Sequence, residues 1–323
     1  MFGYTIFHKE LMMTLINGAR ENKNANTYIF EGAKGLGKHD AARVFAMSLV
    51  CDNTEQAPCC ECAMCREAKA VSHPDIIYVK PEKDKATIGV EPVRAMISEC
   101  MVKPFYNKHK VFIIDEGDII TPQAQNAFLK IIEEPPEYAV FIIVCETAQA
   151  LLETVRSRSV IVTFSPVGDD VVREYIEKTY PDEARVEFLV KYCGGIPKYA
   201  DDIINNDGFE ELREEVLNLV PRLLSKNKVH AYDVSNYIDE HKDEADRIYD
   251  LMLMYLRDAL VMAMGKGDKI INSDKTEKVT LLAQNYTPRL LALAIDELML
   301  AKKMLSRYVK ASATALRAAL TIK

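Results

Sequence analysis

The chain has 323 residues, 49% of them apolar and 28% charged, enough for two or three domains with real cores, which excludes disordered, collagen-like and fibrous classes. Acidic residues exceed basic ones by 48 to 41, so a net charge of −7 excludes a chain that grips nucleic acid over its whole surface, leaving a local basic patch as the remaining route. No apolar run reaches membrane length and Met1–Glu10 lacks a basic-then-apolar leader pattern, so the expected location is cytoplasmic, without membrane contact.

The first half alternates short apolar runs with helical patterns, as a parallel sheet covered by helices does. Strands are predicted at Thr27–Glu31, Asp75–Lys80, Lys110–Asp115, Ala139–Cys145 and Val160–Phe164, and helices at His39–Cys51, Glu91–Val102 and Ala124–Ile132. The last of these helices is stopped by Pro135-Pro136, and Ala127, Phe128 and Ile131 form its expected buried stripe. Beyond about Ser165 the strand signals end. Helices are expected at Asp169–Thr179, Glu183–Cys193, Lys198–Asn205, Gly208–Ser225, Lys242–Met264 and from Pro288 to the end, with Thr287 as N-cap. The glycines at 194–195 and the turn cluster at 205–208 divide these into domains at 1–165, 166–207 and 208–323.

Glu31-Gly32-Ala33-Lys34-Gly35-Leu36-Gly37-Lys38-His39 follows one strand and opens a helix, as a phosphate loop does: the glycines let backbone N–H groups face a phosphate, and Lys38 reaches the outer phosphates. The hydroxyl that would bind magnesium is replaced by His39, and imidazole is a poor ligand for that hard cation. A plain strand-to-helix turn is the alternative. Val111–Glu116 is an apolar strand ending in two carboxylates, Asp115 to orient a magnesium shell and Glu116 to polarise water, or else two acids simply meeting solvent. Such a site keeps its lysine and carboxylates and lacks its hydroxyl, so ATP or ATP–Mg²⁺ binding stays open while efficient turnover is not expected.

Cys51, Cys59, Cys62 and Cys65 have the spacing of a closed four-thiolate zinc site that would pin an inserted loop; disulfide and free-thiol readings are the alternatives, and Cys60 breaks the three-residue rhythm and is left out. Ser157-Arg158-Ser159 is a loop arginine that could point at a neighbour's nucleotide or stay solvated. Lys103, Lys108, His109 and Lys110 read as a solvated basic loop, and the histidines at 8, 73, 230 and 241 show no metal or triad spacing.

Together the phosphate loop, the four-cysteine insert, His73-Pro74-Asp75, Asp115-Glu116, the Asn126–Pro136 helix end and Ser157-Arg158 resemble the bacterial clamp-loader subunits of DNA polymerase III, most closely those of delta prime type, over about Phe7 to Phe164. The resemblance implies an AAA+ module with a zinc-binding insert, a small helical lid and a C-terminal helical collar. It also implies Arg158 as a trans-acting arginine finger, the four cysteines as zinc ligands, and Lys198 in a sensor position where active relatives carry arginine. The implied role is that of a non-hydrolysing stator in a ring with gamma/tau and delta subunits, loading the sliding clamp onto primed DNA in replication. The alternatives are an ATP-hydrolysing gamma/tau-type motor, or a zinc-stabilised AAA+ protein outside replication. No polymerase-type pair of metal-binding carboxylates is readable, so polymerase activity would belong to the holoenzyme.

Overall fold

The computed structural model describes residues 7–21, 23–83, 85–106, 109–305, 307 and 309–322; Lys108 of the basic loop lies outside them. The chain divides into two compact units, one comprising the residues up to Lys178 with Cys193–Tyr199, the other Thr179–Tyr192 with Ala200 onward. The segment expected as a separate lid at 166–207 is therefore shared between them.

In chain order the first unit contains α1 (Lys9–Arg20), β1 (Thr27–Glu31), α2 (Lys38–Val50), α3 (Ala63–Lys69), β2 (Ile76–Val79), α4 (Val90–Cys100), β3 (Lys110–Ile114), α5 (Pro122–Glu133), β4 (Ala139–Cys145), α6 (Glu153–Arg156), β5 (Val160–Thr163) and α7 (Asp169–Thr179). The five strands form one parallel sheet in the order β2-β3-β4-β1-β5, with Ile29 opposite Ile143 and Ile161, and Phe112 opposite Phe141. Because side chains alternate across a strand, β1 sends Tyr28 and Phe30 to one face and Ile29 to the other. The first face packs with Phe45 and Val50 of α2, the second with Val93 of α4 and Phe128 of α5. Every residue of β3 and β4 is buried, which is why both strands read as unbroken apolar runs.

Several boundaries differ from expectation for local reasons. Asp75 lies outside β2 because its carboxylate accepts the N–H groups of Phe105 and Tyr106 at 2.6 and 2.9 Å, and the buried His73 ring accepts the Asp75 N–H through Nδ1 at 3.1 Å. Lys110 is no solvated basic residue: its buried ammonium donates to Glu99 Oε1 at 2.5 Å and to the Glu99 carbonyl at 3.1 Å. In α5, Thr121 caps Ala124 N–H and Pro122 follows at the first turn; Phe128 and Ile131 are buried as expected, while Ala127 is half-buried.

The second unit is helical: α8 (Val186–Cys193) and α9 (Lys198–Ile204), each with an end in the first unit, then α10 (Phe209–Leu223), α11 (Lys228–Glu240), α12 (Ala245–Ala263), α13 (Thr276–Asn285), α14 (Pro288–Leu305) and α15 (Ala311–Thr321). Thr287 accepts Leu290 N–H at 3.3 Å, as its capping role requires. The single helix expected from Pro288 onward is two, and α15 is held by Tyr249, whose hydroxyl meets Thr314 Oγ1 at 2.7 Å.

The core of this unit also contains a polar network. Arg213, wholly buried on α10, donates to Asp274 at 2.6 and 2.8 Å and to Asn272 Oδ1 at 2.7 and 3.2 Å, with its guanidinium 3.6 Å from the Phe188 ring centroid. Asp258, equally buried, accepts the N–H groups of Ile271 and Asn272 and the Asn272 side-chain amide. Both buried charges are thus paired and hydrogen-bonded, the condition under which burial of charge is tolerated.

Candidate functional site

The first constellation lies at the carboxyl ends of β1, β3 and β4, where open parallel sheets bind ligands. The chain leaves β1 at Glu31 and enters α2 at Lys38 through a loop in which Gly32 and Gly35 have no room for a side chain. A Cβ on Gly32 would stand 2.3 Å from the Phe164 carbonyl oxygen, and one on Gly35 would stand 2.8 Å from Ile196 and 2.9 Å from the Lys198 stem. Gly37, left-handed at φ 78°, is the N-cap of α2.

Lys38 is buried, and its ammonium donates to the carbonyls of Gly32 at 2.6 Å and Ala33 at 2.8 Å. Burial pulls its pKa down, against the opposing charges of Glu146 and Asp118. His39 Nδ1 lies 2.8 Å from Asp115 Oδ1. Lys34, Gly35, Gly37, Lys38, His39, Glu116 and Lys198 all line one cavity of about 550 Å³, so the residues expected at the nucleotide site do converge, with Gly32 behind the loop and Asp115 reaching the group through His39.

Three acidic lining residues lie outside the sequence motifs. Asp118 accepts Glu146 N–H at 2.7 Å and so ties the loop after β3 to that after β4; Glu146 and Asp40 also line the cavity. Burial raises the pKa of Asp40. For Asp118 and Glu146 position after a strand end was the available signal, whereas Asp40 lies in the first turn of α2.

Arg158 follows α6 and is absent from the cavity lining. Its guanidinium pairs with Glu133 Oε1 at 3.0 Å and donates to the Thr154 carbonyl at 3.0 Å, and its side chain is 40% exposed. Glu133 is the last residue of α5, held there by the Pro135-Pro136 stop.

The second constellation is the insert. The Sγ atoms of Cys51, Cys59, Cys62 and Cys65 all lie within 4.8 Å of one another, a spread that suits a tetrahedral ion, whose sulfurs at about 2.3 Å from zinc stand somewhat under 4 Å apart. Backbone N–H groups point at them: Cys59 to Cys51 Sγ at 3.4 Å, Cys62 to Cys59 Sγ at 3.4 Å and Cys65 to Cys62 Sγ at 3.3 Å. Such donors favour the thiolate, and the Glu61 and Cys62 N–H groups bring the Cys59 pKa down to about 7. Cys62 is also the N-cap of α3, a helix the spacing of the cysteines had concealed. Cys60 is exposed and its thiol faces the Pro58 carbonyl, outside the cluster of four. The insert is tied down by Arg20, which donates to the Ala57 carbonyl at 2.8 Å, and by Arg43, which donates to the Lys69 carbonyl at 3.1 Å.

A family model described as "DNA polymerase III, delta subunit" matches residues 7–168, half of the chain, and the corresponding C-terminal model matches 208–311. The chain belongs to the DNA polymerase III delta-subunit family. The Bacillus subtilis delta' subunit of DNA polymerase III is 28% identical over 303 residues, covering 93% of this chain and 91% of the relative. A tau/gamma subunit from Haemophilus influenzae is 25% identical, and this chain spans 98% of itself but 49% of that relative. The crystal structure of a gamma-subunit-related protein from Thermotoga maritima superposes with a TM-score of 0.43 at 18% identity, over 90% of this chain and 98% of that one. The relatives of this family member are therefore delta' and gamma/tau subunits of DNA polymerase III, and no helix among its described residues is long and apolar enough to cross a membrane.

Proposed function

We propose that this chain is a delta prime-type clamp-loader subunit: a cytoplasmic stator that does not hydrolyse ATP itself and presents Arg158 to the ATP of a neighbouring gamma/tau subunit. The observation that carries this reading is the His39–Asp115 contact. A magnesium-dependent ATPase needs an oxygen ligand after the loop lysine and a carboxylate free to order the metal's water shell. Here an imidazole takes the first place and bonds the second at 2.8 Å. Magnesium does not fit this donor set, so no hydrolytic step is assigned to the site.

In this reading the chain joins a ring with gamma/tau and delta subunits through a collar from about 208, and the ring loads the sliding clamp onto primed DNA. The net charge of −7 suits a subunit whose DNA contacts are local and shared with the ring. Mixing the purified chain with gamma/tau and delta subunits tests it: co-elution as one complex, with ATPase exceeding that of gamma/tau and delta alone, is expected, and failure to join them would overturn it.

Lys38, Asp115 and Glu116 are all retained around the loop, which favours a second reading as a gamma/tau-type motor. His39→Thr separates the two: under the stator reading the wild type is inert and the substitution alone restores a magnesium ligand, whereas a motor turns over without it.

Glu133 positions Arg158 in this account. Its pair with Arg158 is exposed and worth well under 1 or about 1 kcal/mol, so Glu133→Gln is expected to lower stimulation of partner ATPase by no more than about fivefold. A loss as large as that from removing Arg158 would show that Glu133 itself meets the nucleotide.

The four cysteines hold a structural zinc ion that closes the insert. Metal analysis of the purified chain is expected to return one zinc per chain, with much less in Cys62→Ala and a lower Tm by about 2–4 °C for each kcal/mol lost. Unchanged stability after complete chelation would contradict the assignment.

A further inference from the structure

Arg158 sits on an excursion of the chain, residues 146–159, that leaves the sheet after β4 and returns to it as β5. One side chain meets both ends of that excursion. Glu31, the last residue of β1, stands between the two strands, opposite Cys145 of β4 and Thr163 of β5. Its Oε2 accepts the Ala148 N–H at 2.9 Å, and its Oε1 accepts the Thr163 hydroxyl at 2.8 Å. Hydrogen bonds to an ionised acceptor are the stronger kind, so a half-buried carboxylate with each oxygen engaged is a firm brace. Glu31 is absent from the cavity lining, and its carboxylate is spent on the excursion instead.

Ala148 is where the excursion first turns. From there a run of backbone hydrogen bonds leads to the arginine: Leu151 N–H to the Ala148 carbonyl at 2.9 Å, Arg156 N–H to that of Leu152 at 3.1 Å, and Arg158 N–H to that of Val155 at 3.2 Å. Short-range bonds in series leave little slack, so a shift at Ala148 is carried to Arg158. Two other side chains hold the outgoing end alone. Asp118 accepts the Glu146 N–H at 2.7 Å, and the buried Gln125 accepts the Leu152 N–H at 2.7 Å. Glu31 differs from both in holding the returning strand as well.

We propose that Glu31 is a positioning residue for Arg158: its carboxylate braces the two ends of the excursion and so sets where the guanidinium stands when it reaches a neighbouring subunit's phosphate. The proposal rests on the stator reading and adds to it a residue that never meets the nucleotide. Glu31 acts on the backbone beneath Arg158, whereas Glu133 acts on the guanidinium itself. Misplacement by about 1 Å costs on the order of a hundredfold in rate, so a loosened brace costs less than a missing arginine.

Steady-state ATP hydrolysis by the complex with gamma/tau and delta subunits tests this, with kcat and KM read separately and co-elution confirming assembly. Glu31→Ala is expected to lower kcat about tenfold while KM for ATP changes less than about twofold, the pattern of an interaction made only in the transition state. Glu31→Gln should recover most of the loss, because its amide oxygen still accepts the Ala148 N–H and its NH₂ group donates to Thr163 Oγ1. Thr163→Val, which removes one contact of the two, should cost roughly two- to threefold and carries the test if Glu31→Ala fails to fold. In an Arg158→Ala background Glu31→Ala should add less than about twofold, as for two residues acting through one group. Losses that multiply in the double variant, a folded Glu31→Ala with kcat within about twofold of wild type, or a Glu31→Gln as impaired as Glu31→Ala would each overturn the proposal. The Arg158→Ala arm separates the two failures. If it lowers turnover and Glu31→Ala does not, only the brace is wrong; if Arg158→Ala itself changes nothing, the stator reading falls.

Discussion

Replacing Arg158 by alanine in the reconstituted ring is expected to lower turnover at the gamma/tau site facing this chain by roughly 10³-fold, the lower end of what an arginine finger contributes to phosphoryl transfer. The reason is geometric as well as electrostatic. Arg158 lies outside the cavity of its own chain, 40% exposed on a short loop whose position is set by α6 and by the Glu133 carboxylate. Under the proposed reading this guanidinium exchanges its Glu133 contact for another subunit's phosphate, where it is a planar, always-charged donor. The measurement is single-turnover hydrolysis in the complex, with co-elution as the control for assembly. Lys at the same position keeps the charge but not the fork, so Arg158→Lys should recover little of the loss. Turnover within a factor of two of wild type in Arg158→Ala would remove the arginine from the mechanism.

Arg213→Met should destabilise the helical unit by about 1–3 kcal/mol, the cost of leaving the buried Asn272 amide oxygen unsatisfied, while Asp274, more than a third exposed, is re-solvated. Methionine keeps much of the volume over Phe188 while leaving Asn272 and Asp274 without the four hydrogen bonds they accept from the guanidinium. Thermal or urea unfolding, followed by helical signal, reads the effect. The pH dependence supplies a second check. Burial raises the Asp274 pKa, and the hydrogen bonds and charge of Arg213 outweigh it, so the folded carboxyl titrates below its ordinary 3.8. A depressed folded pKa stabilises above the unfolded value and is lost as pH falls through the folded one. The gap between wild type and Arg213→Met should therefore be full at neutral pH and shrink as pH drops below about 4. A gap that widens in acid would mean that Asp274 is not the partner that matters.

How much of this was legible beforehand depended on whether a segment's environment is local. Thr27–Glu31 and Ala139–Cys145 were read to the residue because strands buried on both faces are continuous apolar runs with clear ends. The α7 span, Asp169–Thr179, was equally clear from its apolar period. By contrast α1, α3, α11 and α13 were not expected. Lys228–Glu240 has His, Tyr, Asp, Val, Ser and Asn in its interior, poor helix formers that packing of Ala231, Val234 and Ile238 overrides. The break between α14 and α15 has no glycine or proline to announce it; it follows from where Tyr249 and Ser235 bind α15, the hydroxyl of Ser235 donating to the Ser312 carbonyl at 2.9 Å.

The sites show the same division. The glycine loop from Gly32 to Lys38 and the cluster of four cysteines were readable because each lies within one short stretch of sequence. That Lys38 turns back onto Gly32, that Lys198 rests on Gly35, and that Glu133 pairs with Arg158 involve residues 6 to 163 positions apart, and no pattern within one segment carries them. His39 lies between these cases. Its identity was visible, and its consequence became specific only when β3 brought Asp115 within 2.8 Å.

The most direct test is steady-state ATP hydrolysis, with magnesium, by the purified chain alone and then in the complex with gamma/tau and delta subunits. The account predicts no turnover above background for the chain alone and vigorous turnover in the complex. Turnover by the chain alone that disappears in Glu116→Gln would contradict it and make this chain a motor in its own right.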